Sequence, residues 1–142
     1  MSREPPTASG QAREKLGDVY GLNPDQLVCG VGSDELIGLL VHAYAAAGDE
    51  VLYPEHGFLM YKIYAQSNGA MPVTAPEKDR RADVDALLAA VTPRTKMVFL
   101  ANPNNPTGSY LPAAEVARLR AGLPPHVSIP ELIIKPTAQQ YI

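Results

Sequence analysis

The stretch Asn102-Pro103-Asn104-Asn105-Pro106-Thr107-Gly108 follows the short apolar run Met97-Val98-Phe99-Leu100-Ala101 with no spacer. Two prolines and a glycine end any strand at that point and hold the asparagines in a rigid turn. In α/β proteins the carboxyl end of a strand is the edge at which ligands bind. An Asn amide held there can donate a hydrogen bond to a ring oxygen, although Asn, Pro and Gly also make turns that bind nothing. A second stretch, Gly30-Val31-Gly32-Ser33-Asp34-Glu35, lies between the apolar run Leu27-Val28-Cys29 and the helix-like segment from Leu36 to Ala47. Ser33 suits an N-cap, Asp34 and Glu35 suit a first turn, and the glycines admit another group close to the backbone. A strand, a glycine turn and a helix N-terminus together form an anion site, which favours a phosphate by about 0.3 to 1 kcal/mol, up to ~2 when partly buried. The same residues would equally serve an ordinary capped helix.

Other chemistries find less support. The third glycine of a dinucleotide fingerprint beginning at Gly30 would fall on Glu35, and no Gly-Lys-Ser/Thr follows a glycine-rich turn. His42 falls mid-helix and His126 beside two prolines, with no carboxylate or thiol at ligand spacing, so a packed and a surface histidine are expected and no metal. Cys29 is the only cysteine. It cannot form an internal disulfide, and its place in an apolar run predicts a buried structural thiol in a reducing, cytoplasmic setting.

The elements that must position these residues follow from the alternation of short apolar runs with longer helical stretches, the pattern of a parallel sheet covered by helices. The spacing predicts strands near Gln26 to Cys29, Glu50 to Tyr53, Ala70 to Thr74 and Lys96 to Ala101. Helices are predicted over Asp34 to Ala47, Phe58 to Ser67, Asp83 to Ala90 and Pro112 to Ala121. Gly48, Gly69 and Gly122 are placed as C-terminal caps, and Pro112 as a first-turn proline. The segment Leu36 to Ala47 is too short for a membrane span of ~20 residues and reads as a buried helix.

At 142 residues the chain is long enough for one domain. A formal charge of -3 and a pI near 5.5 offer no basic face to a nucleic acid. Met1 to Gly10 has no apolar stretch of the signal-peptide kind, and residues 1–11 are expected to be poorly ordered.

Four segments in order, residues 21–30, 32–37, 48–54 and the asparagine loop, resemble the fold-type I pyridoxal-phosphate aminotransferases of class I/II, and among them the histidinol-phosphate aminotransferases most closely. The resemblance covers about Ala12 to Leu123. It implies a partial large, cofactor-binding domain over 12–127: a mostly parallel sheet with flanking helices in three α/β/α layers, incomplete, followed by an atypical tail at 128–142. It further implies pyridoxal 5'-phosphate as cofactor. The backbone at Ser33 and Asp34 would receive the phosphate, His56 would stack on the pyridine ring, and Asn105 would hydrogen-bond the phenolic oxygen. Related enzymes often carry Tyr, Phe or Trp at the stacking position, and an imidazole is a smaller π-face.

The activity implied is amino transfer between histidinol phosphate and 2-oxoglutarate in histidine biosynthesis, by a cytoplasmic homodimer acting on small amino-acid and 2-oxo-acid substrates, with no nucleic-acid or membrane partner. The family's Asp-x-x-Tyr, Schiff-base lysine and two arginines have no match here; Lys135 is the only lysine of the tail. The chain is therefore expected to be a fragment, inactive alone and without catalytic residues of its own. The alternatives are a non-catalytic gene remnant that at most binds phosphate, and a transaminase for another, aromatic, amino acid. In the family the strand ending at the missing Asp is expected between the Val51 and Met97 strands, so its loss would leave both without a neighbour.

Overall fold

The computed structural model describes residues 8–128. In chain order the elements are α1 (Ala8–Tyr20), a 3-10 turn (Pro24–Gln26), α2 (Gly32–Tyr44), β1 (Glu50–Pro54), α3 (Leu59–Ser67), β2 (Met71–Ala75), β3 (Glu77–Lys78), β4 (Arg81–Ala82), α4 (Val84–Ala89), β5 (Thr95–Val98) and α5 (Ala113–Gly122). The described residues divide into two compact units, one up to Leu36 and one from Ile37 onward.

In the first unit α1 takes up residues 8–11 of the segment expected to be poorly ordered, while residues 1–7 lie outside the described residues. Asn23 caps the 3-10 turn, its Oδ1 accepting from the Asp25 N–H at 3.0 Å. The strand expected at Gln26 to Cys29 does not form. Gln26 closes the 3-10 turn, and Leu27 is extended but has no ladder partner among the described residues. Without a ladder the apolar run gains no burial: Val28 is exposed, and so is Cys29, contrary to the buried thiol expected from its neighbours. Helix α2 begins at Gly32, which puts Ser33 inside the first turn and not at the N-cap.

The second unit is built on β1, whose five residues are all buried, as a parallel strand covered on both faces should be. It pairs in parallel with β2 on one side and with β5 on the other, giving the order β2-β1-β5. Side chains alternate across this sheet. Val51, Tyr53, Met97 and Phe99 face Ile37, Val41 and Ala45 of the α2 segment and Tyr61 and Ala65 of α3. Leu52 and Val98 face the opposite way, onto Val84 and Leu87 of α4 and Leu119 of α5. The result is the expected three-layer α/β/α arrangement. Pro72 sits in β2, an edge strand where the missing N–H costs no ladder bond.

Several details differ from the sequence reading. The segment from Leu36 buries one stripe, Ile37, Val41 and Ala45, at helical spacing, and is not buried all round. His42 is exposed on the other face, its Nδ1 2.9 Å from Asn68 Oδ1. Gly48 and Gly69 have positive φ, but Gly122 does not; a Cβ there would lie 2.8 Å from Leu88 Cδ1, so its role is close approach to α4. Pro112 is extended just before α5 and not within it. The direct pairing of β1 with β5 also corrects the expected place of the missing strand. No slot lies between them, and among the described residues β5, like β2, is an edge strand of this sheet. Ser128 already makes one parallel bridge there with Met97, its N–H donating to the Lys96 carbonyl at 2.8 Å. Residues 129–142 lie outside the described residues.

At the amino ends of β1 and β5 the buried Glu50 carboxylate accepts from the Thr92 hydroxyl (2.5 Å) and from Arg94 Nη2 (2.9 Å) and Nε (3.1 Å). The Thr92 hydrogen bond holds this carboxyl below its ordinary value, against the opposing effect of burial, with Arg94 and Thr95 assisting.

Candidate cofactor site

Because β1, β2 and β5 run in parallel, their carboxyl ends meet at one edge of the sheet. Each delivers a polar residue there. β1 leads into Pro54-Glu55-His56-Gly57, a tight turn in which the Gly57 N–H donates to the Pro54 carbonyl at 2.8 Å. A Cβ on Gly57 would lie 2.9 Å from that carbonyl oxygen and 3.1 Å from Tyr53 Cδ2, so the turn closes only on glycine. Below it Tyr61 stacks on Phe99 at 4.6 Å between ring centroids and meets Tyr53 at 5.7 Å. These rings give the turn a rigid floor.

β5 leads into the asparagine loop, in which the Asn102–Pro103 and Asn105–Pro106 peptides are cis. Asn102 clamps its far end: Nδ2 donates to the Leu111 carbonyl and Oδ1 accepts from the Leu111 N–H, both at 2.9 Å. Asn104 closes the loop on itself. Its N–H donates to the Ser109 carbonyl and its carbonyl accepts from Gly108, both at 2.8 Å, while Gly108 takes the positive φ of +70° that this closure needs. Asn104 Nδ2 donates to Thr107 Oγ1 at 2.8 Å and also reaches the His56 carbonyl at 3.0 Å, joining the two turns. Asn105 is exposed, and its side chain has no hydrogen-bond partner among the described residues.

β2 leads through Pro76 to Glu77, whose side chain is only 3% exposed. Its Oε1 accepts from the His56 N–H and its Oε2 lies on His56 Nδ1, each at 3.0 Å. The outer part of the imidazole remains open, the side chain being 52% exposed. Nothing in the local sequence marks Glu77, which lies 21 residues beyond His56 in a charged stretch that reads as solvated surface.

Ser33 and Asp34 lie in the first unit, in the opening turn of α2. Glu35 Oε2 accepts from the Val31 N–H at 2.5 Å and braces the glycine turn from within. A Cβ on Gly30 would meet that same oxygen at 2.9 Å.

A cleft of about 500 Å³ elsewhere in the second unit is lined by Lys78, Arg81, Asp83, Asp85, Glu115 and Arg118 among others. None of the four expected site residues borders it, and Arg118 is already paired with Asp85 and Glu115. Among the described residues no group of three His, Cys, Asp or Glu is placed to hold a metal ion, and no helix is long and apolar enough to cross a membrane.

A three-layer sheet with ligand-facing turns at its carboxyl edge is the framework of a pyridoxal-phosphate transferase large domain, and residues 3–126 match the family Aminotransferase class I and II. The chain belongs to that family. It is 64% identical over 123 residues, 87% of this chain and 34% of the relative, to the histidinol-phosphate aminotransferase of Paramagnetospirillum magneticum. It is 54% identical over 142 residues, the whole of this chain and 38% of the relative, to that of Rhodospirillum centenum. Among solved structures, the histidinol-phosphate aminotransferase of Sinorhizobium meliloti in complex with pyridoxal-5'-phosphate superposes with a TM-score of 0.79 at 30% identity, over 89% of this chain and 35% of that one. The chain thus spans about a third of the length of the curated relatives it matches.

Proposed function

We propose that this chain is the cofactor-holding part of a pyridoxal-phosphate-dependent histidinol-phosphate aminotransferase. The observation that carries the reading is the division of labour in the asparagine loop: Asn102 and Asn104 are committed to the fold, and Asn105 is left with an uncommitted amide. The residues fit a phosphorylated pyridine. In the second unit Asn105 offers a donor for a ring oxygen and His56 an open imidazole held from behind; in the first unit, taken by itself, the opening turn of α2 at Ser33 and Asp34 is a helix N-terminus of the kind that favours a phosphate. When bound, the cofactor supplies the electron sink for amino-group transfer. The protein's own share here is to bind and orient it.

Histidinol phosphate as substrate rests on the names of the relatives, and 2-oxoglutarate, homodimerisation and a cytoplasmic setting rest on the resemblance to the family. The described lysines, Lys15, Lys62, Lys78 and Lys96, are all exposed, so none of them has the desolvated setting that activates a lysine amine. Two measurements test the reading. Titrating the chain with pyridoxal phosphate should move the amide signals of residues 32–36, 56 and 105; signals unmoved at millimolar cofactor would remove the binding role. Substituting residues 3–126 for the matching segment of the Paramagnetospirillum magneticum relative should leave an enzyme active on histidinol phosphate, and a chimera that folds and binds cofactor but prefers an aromatic amino acid would overturn the substrate.

A further inference from the structure

His56 is held at three points, two of them by one carboxylate. Glu77 takes both its N–H and its Nδ1, and Asn104 takes its carbonyl. An ionised carboxylate can only accept hydrogen bonds, so the proton shared with Glu77 Oε2 belongs to Nδ1, and the neutral ring keeps its lone pair on Nε2. With Oε1 fixed on the backbone N–H and Oε2 on the ring, the carboxylate plane sets the ring plane. A stacking imidazole has a smaller face than a phenyl or indole ring and loses proportionately more contact when it swings, so a fixed ring plane matters more here than it would for an aromatic residue.

We propose that Glu77 is a positioning residue, which locks His56 as the Nδ1–H tautomer and holds its face toward the cofactor ring. The proposal rests on the reading of His56 as the stacking residue. It also explains why a carboxylate is buried at the end of β2: Glu77 couples the end of β2 to the β1 turn, and Asn104 couples that turn to the β5 loop, so the three strand ends act as one support.

The test is the ring-nitrogen spectrum of the ¹⁵N-labelled full chain without cofactor, recorded about two units above the ordinary histidine pKa of ~6.5, with His56 assigned by its loss in His56→Phe. The parent chain should show His56 predominantly as Nδ1–H. Glu77→Gln should reverse this: the glutamine oxygen must stay on the His56 N–H, which turns its NH₂ toward Nδ1 and forces the proton to Nε2. An Nε2–H or doubly protonated ring in the parent, or an unchanged tautomer in a folded Glu77→Gln, would overturn the proposal, and the parent measurement decides by itself if the variant does not fold. Adding pyridoxal phosphate separates this from the reading beneath it. Ring signals of His56 that shift in the parent, and shift less in Glu77→Gln, support positioning. Ring signals unmoved by cofactor while the tautomer is as expected would overturn the stacking role itself.

Discussion

Replacing Asn102 and Asn105 by alanine should separate stability from cofactor binding within a single loop. Asn102 makes two hydrogen bonds to the Leu111 backbone, and Leu111 is 5% exposed, so Asn102→Ala leaves a buried N–H and a buried carbonyl without partners. At about 0.5 to 1.5 kcal/mol for each bond, and more where the abandoned group stays dry, the expected loss is ~2 kcal/mol. For a chain of this size that is roughly a 6 to 10 °C fall in melting temperature. Asn105→Ala removes an exposed side chain with no partner among the described residues, and stability should change by less than about 0.5 kcal/mol. Its effect should fall on the ligand. One hydrogen bond to a charged ring oxygen contributes about 1.5 to 3 kcal/mol, so the dissociation constant for pyridoxal phosphate should rise roughly ten- to a hundredfold. The assay is a melting curve paired with an absorbance titration of cofactor for each variant, the titration run well below the lower melting point. Equal losses of stability in the two variants, or equal losses of cofactor affinity, would refute the assignment.

The remaining predictions concern charge and covalent chemistry. Glu50 has a carboxyl held below its ordinary value of 4.5, so the unfolded chain takes up its proton more readily than the folded one; its stabilisation is complete above about pH 4.5 and lost as pH falls through the lowered folded value. Glu50→Gln should therefore flatten the acid limb of a urea-midpoint against pH curve below about pH 4.5, and an acid limb as steep as the parent's would refute the role given to the Thr92 and Arg94 bonds. Borohydride reduction in the presence of pyridoxal phosphate should give no stoichiometric label at Lys15, Lys62, Lys78, Lys96 or Lys135 by peptide mass spectrometry. The four described lysines are exposed and lack the desolvated setting that activates a lysine amine; full labelling at one of them would mean that these residues contain the covalent centre after all.

What was legible in the sequence was whatever a local pattern could encode. The strand over the apolar run Val51-Leu52-Tyr53 and the helix after Leu36 are read from spacing alone, though which stripe of that helix is buried is not. The asparagine loop was visible because two prolines and a glycine leave few other conformations. The strand at Gln26 to Cys29 was misjudged because composition measures a tendency to be extended, whereas a strand also needs a neighbour, and Leu27 to Cys29 have none among the described residues. Cys29 was misjudged for the same reason, since burial is a property of the partner surface. Glu77 was missed because its meaning lies in a contact across 21 residues, and nothing around it distinguishes a gripping carboxylate from a solvated one.

The order of the sheet also explains which part of the chemistry these residues can hold. Turns that follow β1, β2 and β5 converge because adjacent parallel strands end at the same edge, so His56, Glu77 and Asn104 are brought together by topology and joined by three hydrogen bonds of 3.0 Å. Orienting a flat ring requires little beyond such an edge: a face, a donor and a support that does not move. A covalent lysine requires the opposite environment, a cationic group kept from water by surrounding layers. On the outer side of β5 the ladder contact among the described residues is the single bridge from Ser128 to Met97, and the described lysines, all exposed, have no such enclosure. The proposed ring-holding role thus asks only for the ends of three adjacent parallel strands, which the described residues supply.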